Sequence, residues 1–144
     1  MAHAENKVTI NRPVSAVFDF ILDGANNKLW RPAVIDVSPL TERPYGIGSA
    51  FKQGLKGPGG RIDGDYKITE CKPNEFIKFE VIAGPARPTG TYTFAMDGKS
   101  TTIIFILDFQ TKGIAKLMEP MINQSMKSEV ATLSNLKTYL EAHS

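Results

Sequence analysis

One cysteine, one tryptophan and two histidines occur among 144 residues, and each shortage removes a class of function. With Cys71 as the single cysteine, no intramolecular disulfide can form. His3 and His143 lie near opposite ends of the sequence, so a histidine-based triad and a His/Cys zinc site both lack residues. No cofactor site is legible. Charge of one sign is missing too. The net charge is +2, with Lys and Arg scattered among Asp and Glu. Nucleic acid is a poor partner for such a surface, because neutralising phosphates needs clustered positive charge. Residues 1–12 hold no apolar core of signal-peptide length. The longest apolar run, 103–107, falls far short of the ~20 residues that cross a bilayer. The expectation is a soluble cytoplasmic protein without a membrane span, folded as one domain over 1–144.

What is present is an ordered change of period. Lys7-Val8-Thr9-Ile10 alternates as a half-buried strand does. Asn11 as a cap and Pro13 in the first turn then signal a helix. Val14, Val17, Phe18 and Ile21 form its apolar face. Residues 26–31 read as a second short helical turn before Pro32. From Val34 the period becomes that of strands, read at 34–42, 48–55, 61–72, 75–83, 89–97 and 100–110. Turn residues separate them at Pro44-Tyr45-Gly46, Gly57-Pro58-Gly59-Gly60, Lys72-Pro73-Asn74, Gly84-Pro85 and Asp97-Gly98. Links this short imply an antiparallel meander. Helical spacing resumes after Lys112-Gly113. It puts Leu117, Met118, Met121, Ile122, Met126, Leu133, Leu136 and Leu140 on one broad face. Pro120 puts the start of the long helix near Glu119, with a separate turn before it. The fold class expected is α+β: a curved six- to seven-stranded antiparallel sheet wrapped around a long C-terminal helix.

Four stretches resemble the START-like helix-grip (SRPBCC) superfamily, and within it the polyketide cyclase/dehydrase-like branch. They are Ile10-Asn11-Arg12-Pro13-Val14 with the helix that follows to Ile21, Asn26-Asn27-Lys28-Leu29-Trp30-Arg31-Pro32, Tyr66-Lys67-Ile68-Thr69-Glu70-Cys71-Lys72-Pro73-Asn74, and Leu133-Ser134-Asn135-Leu136-Lys137-Thr138-Tyr139-Leu140-Glu141. The resemblance implies a cavity between sheet and helix. It also implies a function among hydrophobic-ligand carriers, hormone receptors, polyketide cyclases and quinone-binding proteins. In related receptors a loop equivalent to 57–60 gates the pocket. Here the same glycines lack the Gly-Lys-Ser/Thr ending of a phosphate loop.

The candidate site follows from the residues that would face such a cavity. Ser125, Glu129 and Thr132 fall within about 40° of the centre of the helix's apolar face. Glu129 reads either as a ligand anchor or acid/base, or as one half of a salt bridge to a rim Lys or Arg; the salt bridge is the preferred reading. Met121 suits an adaptable apolar wall. In the strands, Phe51 and Gln53 share a face, as do Ile77, Phe79 and Val81, and Tyr92, Phe94 and Met96. Gln53 and Tyr92 would supply hydrogen bonds in an aromatic-lined space. Residues 103–107 are apolar on both phases, which predicts cover on both sides. Trp30 reads as a pocket wall or, preferentially, as a plug at one end of the barrel. Asp63 and Asp65 share a phase with Arg61 and Lys67, a solvated charged face. The function expected is binding or transport of a small hydrophobic molecule, lipid-like, aromatic or isoprenoid. A cofactor-independent cyclase or dehydratase using the same cavity, and a protein-interaction module with a filled pocket, are the alternatives. The oligomeric state is not encoded legibly.

Overall fold

The structure, a computed structural model, describes residues 2–57, 59–84, 86–110 and 113–143, with the side chains of 113–115 left aside. Strand β1 (Ala2–Ile10) leads into helix α1 (Val14–Leu22), a 3-10 turn (Gly24–Asn26) and helix α2 (Asn27–Trp30). Seven strands follow: β2 (Val34–Pro39), β3 (Ala50–Gly57), β4 (Gly60–Asp63), β5 (Tyr66–Lys72), β6 (Phe76–Val81), β7 (Thr89–Asp97) and β8 (Ser100–Phe109). A 3-10 segment (Gly113–Met118) precedes helices α3 (Glu119–Ala131) and α4 (Leu133–Ala142). Every strand pairing among the described residues is antiparallel. The sheet order is β1-β8-β7-β6-β5-β3-β2, and β4 pairs with β3. The sheet curls around the C-terminal helices, the helix-grip architecture expected from the sequence. Among the described residues, no helix is long and apolar enough to cross a membrane.

Turn chemistry sets the register. Asp97 pairs with Ser100, so Gly98 and Lys99 form a two-residue hairpin loop. Gly98 takes φ +63° there, the positive value that glycine supplies at the first loop position of a type II′ turn. The expected strand at 61–72 is two strands. Gly64 and Asp65 break it, because β3 pairs with β4 at one end and with β5 at the other. At the break the Gly64 N–H donates to the Gln53 carbonyl, and the Gln53 N–H donates to the Asp65 carboxylate at 3.1 Å. Asp65 thus replaces a strand carbonyl, whereas Asp63 pairs with Arg61.

Inner-face positions build one core. Val14, Val17, Phe18 and Ile21 of α1 pack on β7 and β8, with Phe18 against Phe94, while Met126, Val130, Leu133, Leu136 and Leu140 lie beneath β1. Polar ties hold the C-terminal helices to that strand. The Asn6 amide donates to the Val130 carbonyl, and Lys137 Nζ to the Thr9 carbonyl. The helix is not continuous. Thr132 donates its N–H and its hydroxyl to the Glu129 carbonyl, a back-bonding geometry that bends or interrupts helices.

Four local expectations need correction. Asn11 does not cap α1: the N-cap is Pro13, without a side-chain hydrogen bond, and Asn11 Oδ1 accepts from Ser100 instead. Met96 is exposed, since the β7–β8 hairpin runs past the helices. Residues 103–107 are buried on one phase only; Ile104 and Ile106 are half-buried between Lys7 and Thr93 and between Glu5 and Thr91. Leu117, Met118 and Met121 are also exposed, Leu117 at 83%. The apolar stripe of the last helix therefore begins before the sheet that covers it.

Candidate functional site

Among the described residues, two voids lie between sheet and helix, and Arg31 and Phe79 line both. The outer one, about 160 Å³, is walled by Leu55 and Ile62 of the β3–β4 hairpin, Phe79 of β6, Leu107 of β8, and Ile122 and Met126 of α3. Its polar groups are Arg31, Gln53, Asp63, Ser125 and Glu129. The inner one, about 10 Å³, is the size of one water molecule. It is lined on its polar side by Asn27, Arg31, Tyr66 and Tyr92.

The short segment α2 positions the inner polar groups. Asn27 and Arg31 stand four residues apart, so both reach the same side of this turn. Arg31 precedes Pro32, which excludes it from the helical region. Its backbone is extended at φ −107° and ψ 100°, and its side chain enters the core. Arg31 Nε donates to Glu129 Oε1 at 2.6 Å, with the two side chains 8% and 17% exposed. Burial is the largest single influence and opposes the guanidinium charge, but the Glu129 carboxylate together with the Tyr92 and Tyr66 phenols more than offsets it and raises the Arg31 pKa. Asn27 Nδ2 donates to Gln53 Oε1 and to the Tyr66 hydroxyl, both at 3.0 Å. Gln53 Nε2 donates to the Gly64 carbonyl at 3.3 Å. Burial pushes the Tyr92 phenol up to about 12, against the opposing pull of Arg31. It raises the Tyr66 phenol too, while the Asn27 hydrogen bond acts the other way. Both phenols are therefore neutral hydrogen-bonding groups near neutral pH.

Of the residues expected at the site, Gln53, Phe79, Ser125 and Glu129 line the outer cavity, and Phe79 and Tyr92 line the inner void. Four lie elsewhere. Phe51 is fully buried and stacks on Tyr66 at 5.3 Å between centroids. Phe94 packs edge-on against Phe18. Trp30 is 2% exposed, with its ring against Tyr92 and Phe105 and its Nε1 without a partner among the described residues. Met121, 59% exposed, sits on α3 outside both voids, because Ile122 and Met126 take the inward positions there and the exposed Ser125 stands at the rim. Gln53 is present, but its amide is already engaged at both ends. Asn27, Arg31 and Tyr66 escaped the sequence reading. Only the i, i+4 spacing of Asn27 and Arg31 beside Trp30 hinted at them.

The fold recurs in solved structures. A Thermus thermophilus protein, TTHA0849, superposes with a TM-score of 0.82 at 18% identity, covering 99% of each chain. The Zhui aromatase/cyclase of Streptomyces sp. R1128 does so at 0.80 and 16% identity, covering 96% of this chain and 93% of that one. A START superfamily protein of Mycobacterium smegmatis gives 0.75 and 15%, covering 99% and 97%. At such identities these likenesses concern the fold alone. No curated protein matches by sequence. The sequence profile of one family, described as polyketide cyclase / dehydrase and lipid transport, matches residues 1–141. With nearly its whole length matched, the chain belongs to the polyketide cyclase / dehydrase and lipid transport family.

Proposed function

We propose that this protein binds a small hydrophobic molecule in the outer cavity, with the Arg31–Glu129 pair at the polar end. The observation that carries this reading is the cavity itself: about 160 Å³, with apolar walls and a few polar groups on one side, the usual make-up of a ligand site. Its size supports a compact ligand. An apolar cavity of ~150 Å³ accommodates benzene, whereas drug-sized ligands occupy roughly 300 Å³ or more. Burial of the ligand's apolar surface would supply most of the binding energy, at about 25 cal/mol per Å². The same reading puts the protein in the cytoplasm, where a free thiol such as Cys71 stays reduced.

The test is native mass spectrometry before and after organic extraction, followed by thermal shifts with ring-sized compounds such as toluene, 4-methylphenol and indole. A saturating ligand at about 100 times its Kd stabilises by ~2.7 kcal/mol, or roughly 5–10 °C for a chain of this size. No retained molecule and no shift across the panel would sink the reading.

One observation favours a second reading, that of a cyclase or dehydratase. Glu129 reaches the cavity wall with a guanidinium and a phenol behind it, which would suit proton transfer during a reaction guided by the cavity's shape. Glu129→Gln distinguishes the two. It would abolish turnover in an enzyme and only shift affinity in a carrier.

A further inference from the structure

The two most buried charges of the outer cavity, Arg31 and Glu129, cancel. They already satisfy each other at 2.6 Å. Asp63, the remaining charged group of the wall, is exposed to solvent and pairs at 2.8 Å with Arg61, which it shares with Asp36. A ligand carboxylate entering here meets Glu129 and Asp63, and gains Arg31 only by displacing Glu129. A ligand ammonium meets Arg31 and must draw Glu129 away from it. Either ion would leave a charge with little water and no partner, a costly arrangement.

Few polar groups remain for a ligand to use. Gln53 is engaged by Asn27 and Gly64. The Ser125 hydroxyl has no hydrogen-bond partner among the described residues and is exposed at the cavity's rim. It stands four residues before Glu129 on α3, so hydroxyl and carboxylate share one face of the helix. Together they offer a donor and a strong acceptor at the edge of an apolar space.

Resting on the binding reading above, we infer that the cavity selects uncharged, ring-sized molecules bearing a hydroxyl or similar hydrogen-bond donor, and rejects carboxylate and ammonium analogues of the same size. The Arg31–Glu129 pair acts as a charge filter. The ligand hydroxyl donates to Glu129, and Ser125 completes the contact.

Calorimetric titration near pH 7 with toluene, 4-methylphenol, 4-methylbenzoate and 4-methylbenzylamine tests this. The phenol should bind more tightly than toluene, and at least about tenfold more tightly than either ion. Ser125→Ala should weaken the phenol and leave toluene unchanged. Glu129→Gln frees Arg31 and should invert the order, with the benzoate overtaking the phenol. If that variant does not fold, the four ligands on the unaltered protein decide the matter. Benzoate binding as tightly as the phenol would overturn the charge filter and leave the binding reading intact. Toluene binding as tightly as the phenol would remove the hydroxyl contact. Failure of all four to bind would sink the binding reading and this inference with it.

Discussion

The Arg31–Glu129 pair is the interaction whose removal should be felt most. Two unit charges about 4 Å apart attract by ~4 kcal/mol at the effective dielectric of partly buried sites, and most of that offsets their desolvation. Removing one partner forfeits the attraction and leaves the other's desolvation uncompensated, typically ~3–5 kcal/mol. Glu129 keeps some water contact at 17% exposure, and Arg31 also interacts electrostatically with the Tyr92 phenol. The lower end of the range therefore applies. Glu129→Gln should cost about 3 kcal/mol, a fall in Tm of roughly 6–12 °C. Arg31→Met should likewise cost about 3 kcal/mol, the low end because Glu129 can hydrate through the cavity. The double variant Arg31→Met/Glu129→Leu removes both charges and should lose only about 1 kcal/mol. Urea unfolding followed by far-UV circular dichroism measures all three without relying on Trp30, which packs beside Arg31. Costs of the two single changes that simply add in the double variant would refute the coupling. So would a Glu129→Gln protein within about 1 kcal/mol of the unaltered chain.

Other outcomes follow from the same geometry. A Cβ on Gly90 would stand 2.1 Å from Phe79 Cζ. Gly90→Ala should therefore push that ring toward the voids, costing roughly 1–3 kcal/mol and weakening ring-sized ligands; an unchanged urea midpoint would contradict this. The Tyr92 phenol, raised to about 12, keeps its proton in the folded chain after an unfolded tyrosine has lost its own near pH ~10. Its stabilising contribution is complete below pH ~10 and is lost as pH rises toward ~12. Tyr92→Phe should flatten that alkaline decline, as read from urea midpoints at about pH 9 and 11. Met121→Gln should change stability by no more than about 0.5 kcal/mol and leave ligand affinity unaltered; a loss of affinity would return Met121 to the site.

Periodicity made most of the framework legible. Strict alternation along residues 7–10 and 89–97 marks strands with one buried face, and the Gly and Pro punctuation marks reversals too short for parallel neighbours. The spacing of Val14, Val17, Phe18 and Ile21 marks the face of α1, because each of these depends only on local backbone geometry. The break at Gly64-Asp65 was not legible. It arises from β3 serving two partners along one edge, a long-range condition that no local pattern carries.

The site divides along the same line. By itself the sequence determined that Glu129 interrupts an apolar helix face, that Gln53 and Tyr92 share strand faces with aromatic neighbours, and that a single cysteine leaves no partner for an intramolecular disulfide. Those conclusions need only side-chain period and residue inventory. Only the tertiary structure decided that Arg31, 98 positions away, neutralises Glu129, that Asn27 occupies Gln53, and that a space of about 160 Å³ survives beside them. Partners and cavity volume depend on how elements distant in the chain pack together. A buried charge is tolerated only where that packing brings its counter-charge within hydrogen-bonding reach.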